Sequence, residues 1–310
     1  MSTSPFAVTV VEPVTITDAM LTSSNVPETD YAAWNSGTTY AAGNRVILTS
    51  THKVYESLQA SNTNNNPVTT EGTWWIEVSP TNRWKVFDTS NSTQTINPGG
   101  TPPEINYELT PGQAINAIGV LNITGGVELV ITMTDPVYRE VYSDTVDLSA
   151  LPLTPDWWAF FFGQRRAPTQ HVATDLPTFP DASLSVEMTG TAELAVGVIM
   201  IGQQQRFSLG VRQGARVGIQ DYSRKETNDF GDTVLVRRAF AKRANFDMLI
   251  TKAEVDPLQK YLSDLRAKAC LWIGTEDYES TIVYGFYKNF DILIAYPEHA
   301  ECSLEIEGLT

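Results

Sequence analysis

The side chains best suited to acid–base or metal chemistry are scarce or unpatterned in this sequence. Its three histidines, His52, His171 and His299, lie among loop-like residues, and none has a cysteine or another histidine at metal-ligand spacing. Its 36 Asp and Glu residues are numerous enough to supply the carboxylate pair of a glycoside hydrolase. No spacing distinguishes one pair from another, so the simplest interpretation places nearly all of these carboxylates on a solvated surface.

The motifs that bind nucleotides or activate a nucleophile are missing from the sequence. There is no GxSxG, no P-loop and no GxGxxG between a strand and a helix. Residues 229–231 read Asp-Phe-Gly, but no catalytic loop, glycine-rich loop or companion lysine of a kinase accompanies them. We therefore expect a protein that is not an enzyme and that holds no metal and no cofactor.

Composition excludes several other classes of function. The 310 residues are 42% apolar, which is enough to form buried cores and excludes wholesale disorder. The formal net charge of −15 argues against nucleic acid as the main ligand. No apolar run is long enough for a transmembrane helix, and the start of the sequence lacks the pattern of a secretory signal, so we expect synthesis in the cytoplasm.

Cys270 and Cys302 have apolar neighbours, which favours two buried thiols over a single disulfide.

Two-residue alternation of apolar and polar side chains dominates the sequence and predicts a mainly β protein. Residues 85–205 hold Val-, Ile- and Thr-rich stretches separated by turn formers such as Gly125-Gly126, Asp135-Pro136 and Gly190, which is typical of an antiparallel β-sandwich. The strands predicted there span 117–121, 127–133, 141–146, 184–188 and 193–201.

The last third of the sequence predicts an α+β unit with one main helix over 254–268. Apolar residues recur there at helical spacing, and Thr251 with Glu254 has the pattern of a capping box. The strands predicted around this helix span 233–238, 246–250, 269–273, 281–287, 290–296 and 303–307. The predicted organisation is an N-terminal extension (1–30), a small aromatic unit (31–80), a β-sandwich (81–205) and an α+β assembly domain (206–310).

The most informative stretch is 31–78, and its aromatic skeleton is Trp34, Tyr40, Gly43, Val46, Tyr55, Pro67 and Trp74-Trp75. In so small a unit a few large aromatic side chains must form most of the core. The skeleton resembles the small chitin-type carbohydrate-binding modules of families 5 and 12. The resemblance implies a three-stranded unit with Trp34, Tyr55 and one of the two adjacent tryptophans in its core.

The same resemblance implies exposed aromatic rings on which sugar rings stack. The candidates are Trp74, Trp75, Tyr31 and Tyr40. Neighbouring residues of a strand face opposite sides, so only one of the adjacent tryptophans should point outward. Residues 56–60, where these modules commonly carry aromatics, read Glu-Ser-Leu-Gln-Ala. A retained scaffold that serves as a spacer or protein contact is therefore favoured over sugar binding.

A second resemblance covers more of the chain. The aromatic unit is followed directly by SPTNRWKVFD (79–88), and later stretches read VGIQDYSRKETNDFGDTVLVRRAFAKRANFDM (217–248) and CLWIGTEDYESTIVYGFYKNFDILIAYPEHAECSLEIEGL (270–309). This arrangement resembles tail proteins of tailed bacteriophages and prophages. The resemblance implies a virion component of the tail or its baseplate, and no catalytic residue comes with it.

A candidate contact between subunits lies in the 206–243 segment. It holds nine basic residues against four acidic ones, a net charge of +5, whereas the rest of the chain has 12 against 32, a net charge of −20. A basic segment on an acidic body favours self-association, although basic side chains merely solvated on a strand ribbon would give the same pattern. The predicted contact residues are Arg212, Arg216, Asp221, Tyr222, Arg224, Lys225, Arg237 and Arg238.

The most apolar aromatic run is Trp157-Trp158-Ala159-Phe160-Phe161-Phe162. Alternation along a strand cannot bury all five rings against one core, so we predict a strand that is covered on both sides. A central strand and an edge strand buried by a neighbouring subunit both fit the turn-rich flanks. A membrane-penetrating tip is the third option, which the shortness of the run and the following Arg165-Arg166 disfavour.

Together these features predict a structural protein of a bacteriophage tail that assembles in several copies. Its expected partners are further copies of itself and other tail proteins, and the 31–78 unit can serve as a displayed module for host attachment. The first alternative is a host-surface adhesin in which that unit binds a glycan. The second alternative is a tail-associated glycan hydrolase.

Overall fold

The computed structural model describes residues 8–152, 156–207, 210–211, 215–227, 232–275, 278–294 and 297–309. Strands make up 53% of the described residues and helices 9%, which confirms the prediction of a mainly β protein. The longest ladders between strands are antiparallel.

The aromatic unit forms two small sheets of its own. The strands of the first 80 residues are β1 (Val8–Pro13), β2 (Leu21–Ser24), β3 (Thr39–Tyr40), β4 (Arg45–Leu48), β5 (Lys53–Ser57), β6 (Asn62–Thr63) and β7 (Trp75–Pro80). One sheet has the order β4-β5-β7, and the second pairs β3 with β6. The predicted three-stranded unit is confirmed, and we call residues 31–80 the aromatic module.

Two very long strands dominate the middle of the chain. The elements there are β8 (Thr95–Ile96), β9 (Glu104–Leu109), β10 (Ala117–Asp135), β11 (Arg139–Asp147), β12 (Leu151–Pro152), α1 (Trp157–Phe162), β13 (Arg165–Arg166), β14 (Gln170–Ala173) and β15 (Ser183–Phe207). β10 pairs with β11, β14 and β15, and β15 also pairs with β8 and β9. The predicted turn at Asp135-Pro136 is confirmed, because Oδ1 of Asp135 accepts hydrogen bonds from the next two free backbone N–H groups.

The turns predicted at Gly125-Gly126 and Gly190 are wrong, since both sites lie inside continuous strands. Gly126 pairs with Gly190 where the register of β10 against β15 shifts. A Cβ on Gly190 would lie 2.4 Å from the carbonyl oxygen of Gly125, and Gly125 itself has a φ of +66°. The glycines therefore allow two backbones to approach closely within a ladder and do not end it.

The C-terminal third contains the main helix and the remaining strands. These are β16 (Gly210–Val211), β17 (Arg216–Asp221), β18 (Arg224–Thr227), β19 (Thr233–Val236), β20 (Phe240–Thr251), α2 (Val255–Asp264), β21 (Cys270–Ile273), β22 (Ile282–Leu293) and β23 (His299–Gly308). A 3₁₀ turn at Lys252–Glu254 precedes α2, and the capping box is confirmed, because the Glu254 carboxylate accepts hydrogen bonds from the N–H and the hydroxyl of Thr251. The α-helix is shorter than predicted and ends at Asp264, just before the left-handed residue Ala267.

β1 links the middle and C-terminal thirds into one 14-stranded sheet. It pairs along its whole length with β15 and on its other side with β21, giving the order β11-β10-β15-β1-β21-β22-β23-β20-β16. Val10 packs in the C-terminal core with α2, whereas Val11 packs with residues of β10 and β15. The segment expected as an extension thus contributes a central strand, because its apolar side chains face buried clusters on both sides.

Both cysteines are free and buried, which confirms the expectation of two thiols. Cys270 lies on β21 and Cys302 on β23, and β22 runs between these two strands. Burial raises the pKa of Cys270 to about 12 and that of Cys302 to about 11.

Candidate functional site

The core of the aromatic module is built around Trp75. Its side chain is fully buried, its ring lies 5.2 Å from that of Tyr40 in an edge-on arrangement, and its Nε1 donates to the carbonyl of Asn65 at 2.9 Å. Tyr55 and Val46 complete this core. Trp75 and Tyr40 are therefore not available for stacking on a sugar. Trp75 is the member of the adjacent pair that faces the core, and Tyr40 is a core residue and not the stacking candidate that the sequence predicted.

The other two candidates keep some exposed surface. Trp74 packs against the module core and is partly buried. Trp34, predicted as a core residue, is also only partly buried and packs against that core. Tyr31 is 40% exposed, but the Arg45 guanidinium lies 5.9 Å from its ring centre and Nη1 of Arg45 donates to its hydroxyl at 3.2 Å. Arg45 is held in turn by the Glu56 carboxylate at 2.8 Å. The Arg45 guanidinium thus already occupies one face of the Tyr31 ring.

The histidines serve contacts within the fold. Nδ1 of His52 lies 3.0 Å from the Glu28 carboxylate, and its ring stacks on Trp84 at 4.1 Å between ring centres. Nε2 of His171 lies 3.1 Å from the Asp144 carboxylate. Across the described ranges, no group of three His, Cys, Asp or Glu side chains is arranged to hold a metal ion. None of the described helices is long and apolar enough to cross a membrane.

The basic segment contributes one strand to the large sheet and forms a separate pair of strands. β17 pairs with β20 at the edge of the large sheet, while β18 and β19 form a separate two-stranded hairpin. The predicted residues Arg216, Arg237 and Arg238 are exposed. Arg212 lies outside the described residues.

Four of the predicted contact residues already have partners within the chain. Nζ of Lys225 lies 3.1 Å from the Asp221 carboxylate, and Arg224 pairs with Glu226. Hydrogen bonds from Ser223 and the nearby Lys225 ammonium lower the pKa of Asp221 to about 2.

The hydroxyl of Tyr222 donates to Glu307 at 2.8 Å, and this hydrogen bond raises the pKa of Tyr222. In the described part of the chain, the side chains of Arg216, Arg237 and Arg238 make no ion pair. Among the described residues of the predicted contact, these three arginines are therefore the cations left for an external acidic partner.

Sequence reasoning emphasised the charges of this segment and missed its exposed apolar side chains. Leu235 on β19 is 70% exposed. The exposed apolar residues of the segment are Val217, Ile219, Val234, Leu235, Val236 and Phe240. The uninterrupted apolar run Val234–Val236 could have indicated this exposed apolar surface, because a hairpin outside the main sheet has no core for three consecutive apolar residues. We call β17, β18, β19 and Phe240 the hairpin surface.

The aromatic run at 157–162 is a short helix and not the covered strand that the sequence predicted. β12 pairs with β13, which brings Leu151 opposite Arg166, so the run lies in the connection between these two strands. All five rings are exposed, from 49% for Phe160 to 81% for Trp157. They contact mainly one another, for example Phe160 and Phe161 at 5.1 Å between ring centres. We call residues 157–162 the aromatic tip.

The chain matches no protein-family model and no curated protein.

Proposed function

We propose that this protein is a structural component of a bacteriophage tail or baseplate that assembles in several copies. The observation that carries the proposal is the large apolar surface that one chain leaves uncovered, at the hairpin surface and at the aromatic tip. Exposed apolar side chains concentrated in one part of a soluble protein are typical of interfaces. The proposal also rests on the resemblance of three stretches of the sequence to tail proteins.

Charge supports a further copy of the same chain as the main partner. The 206–243 segment has a net charge of +5 and the remainder of the chain −20. The unpaired Arg216, Arg237 and Arg238 border exposed aliphatic side chains, and interfaces favour this combination of an apolar centre with an arginine rim. In an assembly, the aromatic tip would be covered by a neighbouring subunit or another tail protein.

The adhesin alternative has less support than the sequence alone gave it. Two of its four aromatic candidates, Tyr40 and Trp75, are core residues, and Tyr31 is engaged by Arg45. For the hydrolase alternative, the described residues offer no feature that favours one pair of carboxylates. We therefore propose that the aromatic module serves as a structural or spacer unit on the tail.

Immunogold labelling tests the proposed location directly. Antibodies raised against the purified chain should bind the tails of particles from a phage or induced prophage that encodes it. Labelling of tails in a regular pattern is the expected result. Absence of the chain from purified particles, measured by mass spectrometry of their proteins, would contradict the proposal.

A further inference from the structure

The outer edge of β17 presents backbone groups to which no described backbone group binds. β17 (Arg216–Asp221) pairs with β20, and no described strand lies on its other side. Outside that ladder, its six residues make no hydrogen bond to the backbone of any described residue. In an antiparallel pair, alternate residues direct their N–H and C=O groups away from the partner strand. An open edge of this kind is a template for pairing with another chain.

The strand at the opposite end of the large sheet is protected by charge, whereas β17 is not. β11 carries Glu140, Asp144 and Asp147 along its length. The charged residues of β17 are Arg216 and Asp221, which lie at its two ends and leave four uncharged residues between them. Charged side chains along an edge strand oppose pairing with another chain. Of these two terminal strands, β17 is therefore the one suited to pairing.

The apolar side chains of β17 share one face and continue the C-terminal core past the last strand that is buried. Val217 lies opposite Ala244, which is buried in the core that contains α2. Residues two apart in a strand point to the same side, so Ile219 shares this face. Val217 is 46% exposed and Ile219 is 63% exposed. A strand placed beside β17 would cover part of this apolar surface.

The charges of β17 favour antiparallel pairing with a second copy of itself. Arg216 gives the strand a positive first residue and Asp221 a negative last residue. Antiparallel pairing brings the positive end of each strand to the negative end of the other, whereas parallel pairing aligns like charges, which destabilises a sheet. It also sends the two β18–β19 hairpins, which follow the C-terminal end of β17 and carry the exposed Arg237 and Arg238, to opposite ends of the contact.

One register matches the side chains of two such strands. With Gly218 at the two-fold axis, Gly218 faces its own counterpart and Val217 faces Ile219 of the second copy. Apolar residues then meet on one face, and no like charges lie opposite each other. Centring the pair on Ile219 would place Val217 opposite Asp221 of the second copy. Centring it on Val217 would leave the last three residues of each β17 beyond the strand that they should pair with.

We infer that β17 pairs edge to edge with β17 of a second copy, antiparallel and centred on Gly218. The pairing continues the large sheet of one chain into that of the other and forms a symmetric dimer. The inference rests on the proposed self-assembly, and it specifies the strand, the direction and the register of one contact.

Disulfide trapping tests this register with single substitutions. Facing residues of an antiparallel pair have Cα atoms roughly 4.5–5.5 Å apart, within the roughly 4.4–6.8 Å that a disulfide spans. Gly218→Cys should therefore form a covalent dimer with oxidised glutathione. Ile219→Cys is the matched control, because the register places its Cα about 8 Å from that of its counterpart. Cys270 and Cys302 are buried, so the native thiols should not contribute.

Intact mass spectrometry without reductant measures the result. The mass of the Gly218→Cys chain should double, and that of the Ile219→Cys chain should not. An equal mixture of Val217→Cys and Ile219→Cys chains should give the mixed dimer, since these residues face each other in the register. Gly218 accepts a side chain, because nothing lies within 4 Å of a Cβ there and its backbone is not left-handed.

Sedimentation of the unmodified chain separates failure of this inference from failure of the proposed assembly. An oligomer in which Gly218→Cys forms no covalent dimer, or forms no more than Ile219→Cys does, would overturn the pairing of β17 and leave the assembly standing. A monomer at every concentration, with no cross-link in any variant, would overturn both.

Discussion

Two adjacent tryptophans have opposite environments, which allows the stability of the aromatic module to be tested with single substitutions. Trp75 is fully buried, whereas Trp74 packs on the outside of the same core. Trp75→Ala should cost on the order of 3–5 kcal/mol, which is comparable to the whole stability expected of so small a core. Trp74→Ala is the matched control and should cost clearly less.

Hydrogen exchange followed by mass spectrometry resolves where the Trp75→Ala variant loses structure. Exchange should become fast across 31–80 and stay slow in β10 and β15, whose ladder does not include the module strands. A uniform increase in exchange across both regions would show that the module does not fold by itself.

The buried thiols give a prediction that depends on pH. Because burial raises the pKa of Cys270 to about 12 and that of Cys302 to about 11, neither thiol should react with a disulfide reagent at pH 8 in the folded chain. An unfolded thiol ionises at about pH 8.5, so the unfolded state loses its thiol protons first as the pH rises. Stability from the two thiols is therefore complete below about pH 8.5 and decreases as the pH rises toward the folded values.

Thiol titration with and without denaturant measures this protection. Two reactive thiols should appear only on unfolding. Rapid reaction of either thiol in the native chain at pH 8 would show that the cysteine on β21 or on β23 is not buried.

At the scale of elements, the pairing of β10 with β15 depends on glycines that face each other inside the ladder. A side chain at Gly190 would lie 2.4 Å from the carbonyl oxygen of Gly125. Gly190→Ala should therefore reduce the free energy of unfolding by about 1–3 kcal/mol, as overpacking does in a close-packed region. Gly218→Ala in β17 is the control, because nothing lies within 4 Å of a Cβ there.

Chemical denaturation of the two glycine variants measures the difference. A lower midpoint for Gly190→Ala with an unchanged midpoint for Gly218→Ala is expected. Equal midpoints would mean that the close approach of the two backbones does not constrain the ladder.

Local patterns in the sequence identify elements whose stabilising contacts are near in the chain. The capping box at Thr251 and Glu254 and the turn at Asp135 both follow from hydrogen bonds within three residues. The aromatic skeleton also separates the module, and its resemblance to small carbohydrate-binding modules predicts the three-stranded sheet β4-β5-β7. Gly125 and Gly190 could not be assigned in the same way, since glycine is equally suited to turns and to close strand contacts.

Features that depend on distant partners could not be read from local pattern. β1 is a central strand only because β15 and β21 lie on either side of it, more than a hundred residues away in the sequence. The aromatic tip has the composition of a buried strand, but it is a short helix in the connection between the paired strands β12 and β13.

At the scale of the whole molecule, the charge asymmetry predicts association that weakens with salt. Raising the salt concentration from about 0.1 M to 1 M shortens the Debye length from about 10 Å to 3 Å, which screens the arginines at the interface rim. The expected result is a higher dissociation constant at 1 M salt, measured by light scattering over a dilution series. A combined Arg237→Gln and Arg238→Gln variant should reduce this salt dependence, whereas Lys260→Gln should not. Identical dissociation constants at both salt concentrations would contradict an electrostatic contribution to self-association.

Sedimentation velocity on the full chain tests the central claim of self-assembly most directly. We predict a discrete homo-oligomer at micromolar concentration, and a shift toward monomer for Leu235→Asp, because a charge cannot be buried unpaired in an apolar contact. Val137→Asp is the control, since Val137 is equally exposed but lies in a turn away from the hairpin surface. A chain that sediments as a monomer at every concentration, or an oligomer that Leu235→Asp and Val137→Asp leave equally intact, would contradict the account.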